Sequence, residues 1–221
     1  MIIKIVCNGE DSFSKLYSHD DNEFIIGVDG GCKVLIENNV PIDLAMGDFD
    51  SFPLEEARKY TKHILVLRKD KDKSDLDMVL DQVHTLYDVT KIIIYNATGG
   101  RLDHYHGIIN ALCKEEKYPI EVVNATNYIT TFYGEKEVIN DGYMYFSFFA
   151  LEDNTIITIV DFKYQVQSHI LNRFDNLCLS NELENKGIVR TNKKVIMYKS
   201  KWLKKAYKWL LIIRFFVIMF I

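Results

Sequence analysis

The feature that most constrains the fold is an alternation from Met1 to about Asn124, in which short unbroken apolar runs trade places with longer amphipathic stretches. The runs Ile2–Cys7, Phe24–Val28, Leu44–Met46, His63–Leu67, Lys91–Asn96 and Ile120–Val123 are rich in Ile and Val, as suits strands covered on both faces. Between them Gly31–Asn39, Leu54–Tyr60, Leu76–Tyr87 and Asp103–Lys117 read as helices, with Leu76, Val79, Leu80 and Val83 spaced to share one side. This repeating βα order predicts an α/β fold, a parallel sheet with helices on both faces.

After Asn124 the texture changes. Tyr128–Tyr133, Glu135–Ile139, Met144–Ala150, Thr155–Asp161, Gly187–Arg190 and Val195–Lys199 are short, β-branched or aromatic, and separated by Gly, Asn and Asp. With 221 residues, 48% of them apolar, the chain can bury two cores. The expected organisation is an α/β domain over residues 1–126, an all-β domain over 127–200, and a basic-apolar tail over 201–221.

The polar clusters of the first half follow its strands: Asp29-Gly30-Gly31, Gly47–Ser51, Lys69–Asp75 and Thr98–His104. Ligands bind beyond the carboxyl ends of strands in an open parallel sheet, so these clusters should face one crevice. Asp48, Asp50, Asp70, Asp72 and Asp75 crowd two of the segments, and like charges so close call for a cation or a solvated surface. Asp48 and Asp50 are spaced to offer two hard oxygen ligands to one Mg²⁺, with Asp75, near Asp72, closing the cluster from the next loop. The plainer alternative is an acidic turn in which Ser74 or Asp75 caps the helix from Leu76.

Gly30-Gly31 and Gly99-Gly100 lie where a strand passes into a helix, and either pair would let backbone approach a phosphate or simply make a tight turn. Arg101 is placed to grip a phosphate or to pair with Asp103. His104 and His106, two positions apart at a helix start, point to different sides, so at most one reaches the site.

Several function classes are excluded. A net charge of −4 leaves no electrostatic footprint for nucleic acid. Cys7, Cys32, Cys113 and Cys178 form no C-x-x-C pair, which argues against a zinc ribbon or a disulfide framework and for reduced, cytoplasmic thiols. Neither a Walker A sequence, G-x-G-x-x-G nor a G-x-S-x-G elbow occurs, and the start carries no secretory signal pattern.

Taken together, Gly27-Val28-Asp29-Gly30-Gly31, Gly47-Asp48-Phe49-Asp50-Ser51, Lys71-Asp72 with Ser74-Asp75, Gly99-Gly100-Arg101-Leu102-Asp103-His104 and Ser180-Asn181-Glu182 resemble the bacterial thiamin pyrophosphokinase family in order and spacing, over about residues 1–200. The resemblance implies an ATP-binding α/β domain, a C-terminal β-sandwich, and a homodimer with thiamin held where subunits meet. The implied reaction is attack of the thiamin hydroxyethyl oxygen on the β-phosphorus of Mg·ATP, giving thiamin diphosphate and AMP. On matching positions Asp48, Asp50 and Asp75 would hold Mg²⁺, with Asp72 and Arg101 also catalytic. Asp29, Gly30, Gly31, Ser74, Gly99, Gly100, Arg101 and Asp103 would line the nucleotide, and His104, Ser180 and Asn181 the thiamin. Ser74 stands where the family commonly has Thr, and no tryptophan is evident in the all-β half to stack on thiamin.

Two other readings compete. A D-x-D phosphatase would use Asp48 as nucleophile, but Phe52 stands where that motif has Thr or Val, and two strands precede it. A nucleotide-sensing module would work through its tail, where Lys199, Lys201, Lys204, Lys205 and Lys208 precede the apolar run Trp209–Ile221. That run makes about 20 Å of helix, short of a bilayer core; weak membrane association, contact with a partner, and no role at all are the readings it allows.

Overall fold

The computed structural model describes residues 1–201 except 11, 69 and 71. Readings of Lys71 and of the tail from 202 onward lie outside the described residues.

Six strands, β1 (Ile2–Val6), β2 (Glu23–Val28), β3 (Leu44–Gly47), β4 (Ile64–Val66), β5 (Lys91–Tyr95) and β6 (Ile120–Val123), alternate with α1 (Phe13–Leu16), α2 (Gly31–Glu37), α3 (Leu54–Ala57), α4 (Asp75–Val83) and α5 (Leu102–Lys114). They pair in parallel in the order β4-β3-β2-β1-β5-β6. The chain steps outward from β1 to β4, then crosses back to set β5 on the other side of β1. Loops leaving β1 and β5 diverge at that reversal, which is where an open sheet forms a crevice.

The helices form two layers. Leu76, Val79, Leu80 and Val83 of α4 and Ala111 and Leu112 of α5 are buried against Ile3, Ile5, Ile92, Ile94, Ile120 and Val122. Phe13, Cys32, Leu35 and Ala57 cover the opposite face against Val6, Ile25, Ala45 and Tyr95. Each buried Val, Leu, Ile or Phe among them contributes roughly 1.5–3 kcal/mol. α4 stops at Val83, short of the expected Tyr87, because the Thr85 hydroxyl donates to the Gln82 carbonyl (2.7 Å) and competes with the helical ladder. α1 was not anticipated; its four residues are too few to show a helical period.

Five antiparallel strands follow: β7 (Asn127–Ile139), β8 (Tyr145–Ala150), β9 (Thr155–Val160), β10 (Val166–Leu171) and β11 (Lys186–Ser200). β7 pairs with β6, so the parallel sheet runs on into the second half. The two pairs of short strands expected at 128–139 and 187–199 are each one long strand, paired through a shift of register between Thr191 and Val195. Beside that irregularity β11 changes neighbour, from β9 over Ile188–Thr191 to β8 over Val195–Ser200, as strands do when they bend between layers. Phe146, Phe148 and Phe162 meet edge to face in the core they share with Val138, Ile157, Ile159, Val189 and Met197. β10 escaped the sequence reading because, as an edge strand, four of its six residues are exposed. The architecture is thus an N-terminal parallel α/β half and a C-terminal antiparallel β half. Among the described residues no helix is long and apolar enough to cross a membrane.

Candidate active site

Adjacent strands β2 and β3 deliver the first carboxylates. Asp29 follows β2 in a left-handed conformation (φ 46°), its N–H donating to the Met46 carbonyl (3.0 Å). Its carboxylate turns over Gly47, where any Cβ would overlap Oδ1, and accepts the Phe49 N–H at 2.8 Å. The Asp50 N–H donates to Asp48 Oδ1 (3.2 Å), curling the loop after β3. As a result Asp29, Asp48 and Asp50 present oxygens that all lie within 4.8 Å of one another.

Burial pushes the Asp29 carboxyl up to about 6; the Phe49 N–H opposes this, and the Asp75 and Asp48 charges and a hydrogen bond with Asp75 add to it. Asp75, the first residue of α4, borders Asp29 but is not one of the three whose oxygens come within 4.8 Å, so Asp29 stands where the sequence led us to expect Asp75. Hard carboxylate oxygens converging from two adjacent strands suit a divalent cation such as Mg²⁺, whose charge would relieve their repulsion.

Gly30 and Gly31 sit beside the cluster with a packing reason for being glycine. A Cβ on Gly31 would overlap the Val6 carbonyl, one on Gly30 would overlap the Asn8 side chain, and the Gly30 N–H donates to Ser51 Oγ (3.1 Å). In the loop before α4, Asp70 pairs with Arg68 (3.2 Å) and Asp72 is exposed. Ser74 makes a capping box: its Oγ accepts the Asp77 N–H (3.1 Å) while Asp77 accepts the Ser74 N–H (3.3 Å).

Gly99 (φ 81°) and Gly100 (φ 154°) carry the chain from β5 to α5, and the space where a Gly100 Cβ would sit is open. Arg101, the α5 N-cap, is exposed and forms two bonds to Asp103, Nε to Oδ1 at 3.1 Å and Nη2 to Oδ2 at 2.5 Å. That guanidinium draws the Asp103 carboxyl down to about 2. His104 is exposed beside it, its N–H donating to Asp103 Oδ1 (3.0 Å), and His106 is exposed as well.

Ser180 and Asn181 lie in the other half, between β10 and β11. Ser180 is exposed with φ 58°, and its N–H donates to Ser147 Oγ at 2.9 Å. Asn181 is buried, with its amide bonded on both ends to the Tyr164 backbone (2.9 and 2.6 Å). Thr98 is legible in the sequence only as the head of a polar cluster, and sequence reasoning overlooked the neighbours that brace these loops with it, Asn8 and Asn124. Their one sequence signal is a polar residue just past a strand, which ordinary turns share.

The chain matches the family model described as thiamin pyrophosphokinase, catalytic domain, over residues 16–123, and that described as thiamin pyrophosphokinase, vitamin B1 binding domain, over 136–196. It is 35% identical over 174 residues to a thiamine pyrophosphokinase of Bacillus subtilis, across 74% of this chain and 80% of the relative. A crystal structure of that species' thiamine pyrophosphokinase superposes with a TM-score of 0.81 at 30% identity, covering 92% of this chain and all of the other. The thiamin pyrophosphokinase of Geobacillus thermodenitrificans superposes with a TM-score of 0.78, also at 30% identity, over 92% of this chain and 99% of that one.

Proposed function

The chain belongs to the thiamin pyrophosphokinase family, and we propose that its carboxylate cluster performs the family's reaction on Mg²⁺-bound ATP. The enzyme moves the pyrophosphoryl group of ATP to the hydroxyethyl oxygen of thiamin, giving thiamin diphosphate and AMP. The observation that carries the site assignment is the convergence of Asp29, Asp48 and Asp50 within 4.8 Å at the ends of neighbouring strands.

A transferred polyphosphate is dense with charge, so catalysis is largely positioning and neutralisation. Mg²⁺, when bound, supplies the larger part of that neutralisation. Asp48, Asp50 and Asp75 would hold it, with Asp29 beside them fixing the loop after β3 and Asp72 assisting through the metal or its waters. Gly99 and Gly100 let the phosphates come close, with open space before Gly100 in support. Arg101 takes a phosphate by exchanging its Asp103 partner for the substrate, and Gly30, Gly31 and Ser74 hold the surrounding backbone in place.

On the thiamin side, residues 127–200 form the acceptor-binding domain. Ser180 and His104 contact thiamin, while Asn181 orients the segment that carries Ser180. A homodimer with thiamin at the seam suits the exposed Phe174, Leu177 and Leu179 that precede Ser180. Four free cysteines suit a cytoplasmic enzyme.

Product identity tests the reading. Incubated with ATP, Mg²⁺ and thiamin, the protein is expected to release AMP and thiamin diphosphate in equal amounts; ADP as the main product would overturn it. Light scattering should give twice the chain mass.

A further inference from the structure

We propose that Asn124 is a positioning residue for ATP, holding the Thr98–Arg101 loop against the turn that opens the antiparallel half. The inference rests on the assignment of Gly99, Gly100 and Arg101 to the polyphosphate. Asn124 directly follows β6 and is only 6% exposed. Its Oδ1 accepts the backbone N–H groups of Thr126 (2.9 Å) and Asn127 (2.7 Å). Backbone amides can only donate, so these two bonds fix which end of the side chain is oxygen. The Nδ2 end is thereby aimed away from the turn, and it donates to Thr98 Oγ1 at 2.5 Å.

Thr98 is the last firmly held residue before two glycines. Its carbonyl accepts the Glu10 N–H (2.7 Å) from the β1–α1 loop, so it is gripped from both sides. Gly99 and Gly100 lack a Cβ to restrict them, and the direction in which the loop leaves Thr98 therefore sets where its amides and Arg101 point.

Behind Asn124 the support continues into the second half. The Ser200 hydroxyl donates to Asn127 Oδ1 (2.9 Å), and the Lys201 N–H donates to the Thr126 carbonyl (2.8 Å). The phosphate loop is thus referenced, through one side-chain amide, to the end of β11.

Steady-state kinetics and melting temperature of the full chain test this in wild type, Thr98→Val, Thr98→Ser, Asn124→Ala and the Thr98→Val/Asn124→Ala pair. Thr98→Val removes the acceptor but leaves the 124–127 turn intact. It is expected to raise the KM for ATP roughly fivefold to tenfold, the loss of one hydrogen bond, with less than a twofold change in KM for thiamin. Thr98→Ser should restore the wild-type value, and in the Asn124→Ala background Thr98→Val should add nothing. Unchanged KM for ATP in Thr98→Val, or effects that multiply in the double variant, would overturn the proposal.

Should Asn124→Ala fail to fold, hydrogen exchange of the Asn124 side-chain amide decides. Thr98→Val must accelerate it, and equal exchange in the two proteins sinks the idea. A wild type that makes AMP and thiamin diphosphate while Thr98→Val behaves normally defeats this inference alone; a wild type that makes no AMP defeats the functional reading.

Discussion

At the scale of single residues, the cluster depends as much on Gly47 as on its carboxylates. Gly47 has φ 155° and lies directly under Asp29 Oδ1, so a methyl there is both conformationally strained and in the way. The cheapest relief is for the Asp29 side chain to swing out, which abandons the Phe49 N–H. Gly47→Ala is therefore expected to cost roughly 1–3 kcal/mol in urea unfolding and to lower kcat/KM about 100-fold, since an ångström of misplacement does that much. Asp50 is exposed, so Asp50→Asn should leave the melting temperature unchanged while reducing turnover by about 100-fold or more; full activity would remove Asp50 from the metal site. The D-x-D spacing made Asp48 and Asp50 legible in the sequence. Asp29 was expected in the same crevice, on the nucleotide side; that its carboxylate lies among those of Asp48 and Asp50 was not legible, because it follows from β2 and β3 being neighbours, and nothing local in either segment encodes that pairing.

At the scale of elements, α4 shows how one residue serves structure and site together. Its Leu76, Val79, Leu80 and Val83 are buried, and its first turn is fixed by the Ser74–Asp77 capping box immediately beside Asp75. Ser74→Ala should cost about 1 kcal/mol, a fall of roughly 2–4 °C in melting temperature for a chain of this size. Ser74→Thr, which keeps the hydroxyl, should lose little of it. The strands β1, β2, β5 and β6 and the helices α2, α4 and α5 were readable because burial in the middle of the sheet writes unbroken Ile and Val runs, and an amphipathic helix writes a clear period; β3 and the exposed edge strand β4 were legible only as short apolar runs. The long strands β7 and β11 were read as pairs of short ones, since Gly134 and Thr191-Asn192-Lys193-Lys194 look like turns. Only the partner strand shows that pairing resumes beyond them.

At the scale of the molecule, the two halves are joined by more than the β6–β7 ladder. Lys194 of β11 donates from Nζ to the carbonyls of Cys113 (3.0 Å) and Glu115, meeting the orphan acceptors and negative dipole end of α5. Tyr105 of α5 donates to the Tyr198 hydroxyl (3.2 Å) farther along β11. The Glu115 carboxylate completes this corner, bonded to His84 Nε2 (2.7 Å) and to the N–H groups of Lys117 (2.8 Å) and Tyr118 (3.0 Å). Burial alone would raise its carboxyl; the His84, Tyr118 and Lys117 bonds outweigh burial and hold it below the ordinary 4.5. A carboxylate whose affinity for protons falls on folding stabilises the fold at pH values above its unfolded pKa. That contribution fades as pH drops through the lower folded value. Glu115→Gln keeps the shape and removes the charge, so at pH 7 it should cost roughly 2 kcal/mol, the worth of hydrogen bonds to an ionised group. Melting curves of wild type and Glu115→Gln between pH 7 and pH 3 should converge below about pH 4, and a gap that stayed constant to pH 3 would show that the charge on Glu115 does not stabilise this corner of the fold.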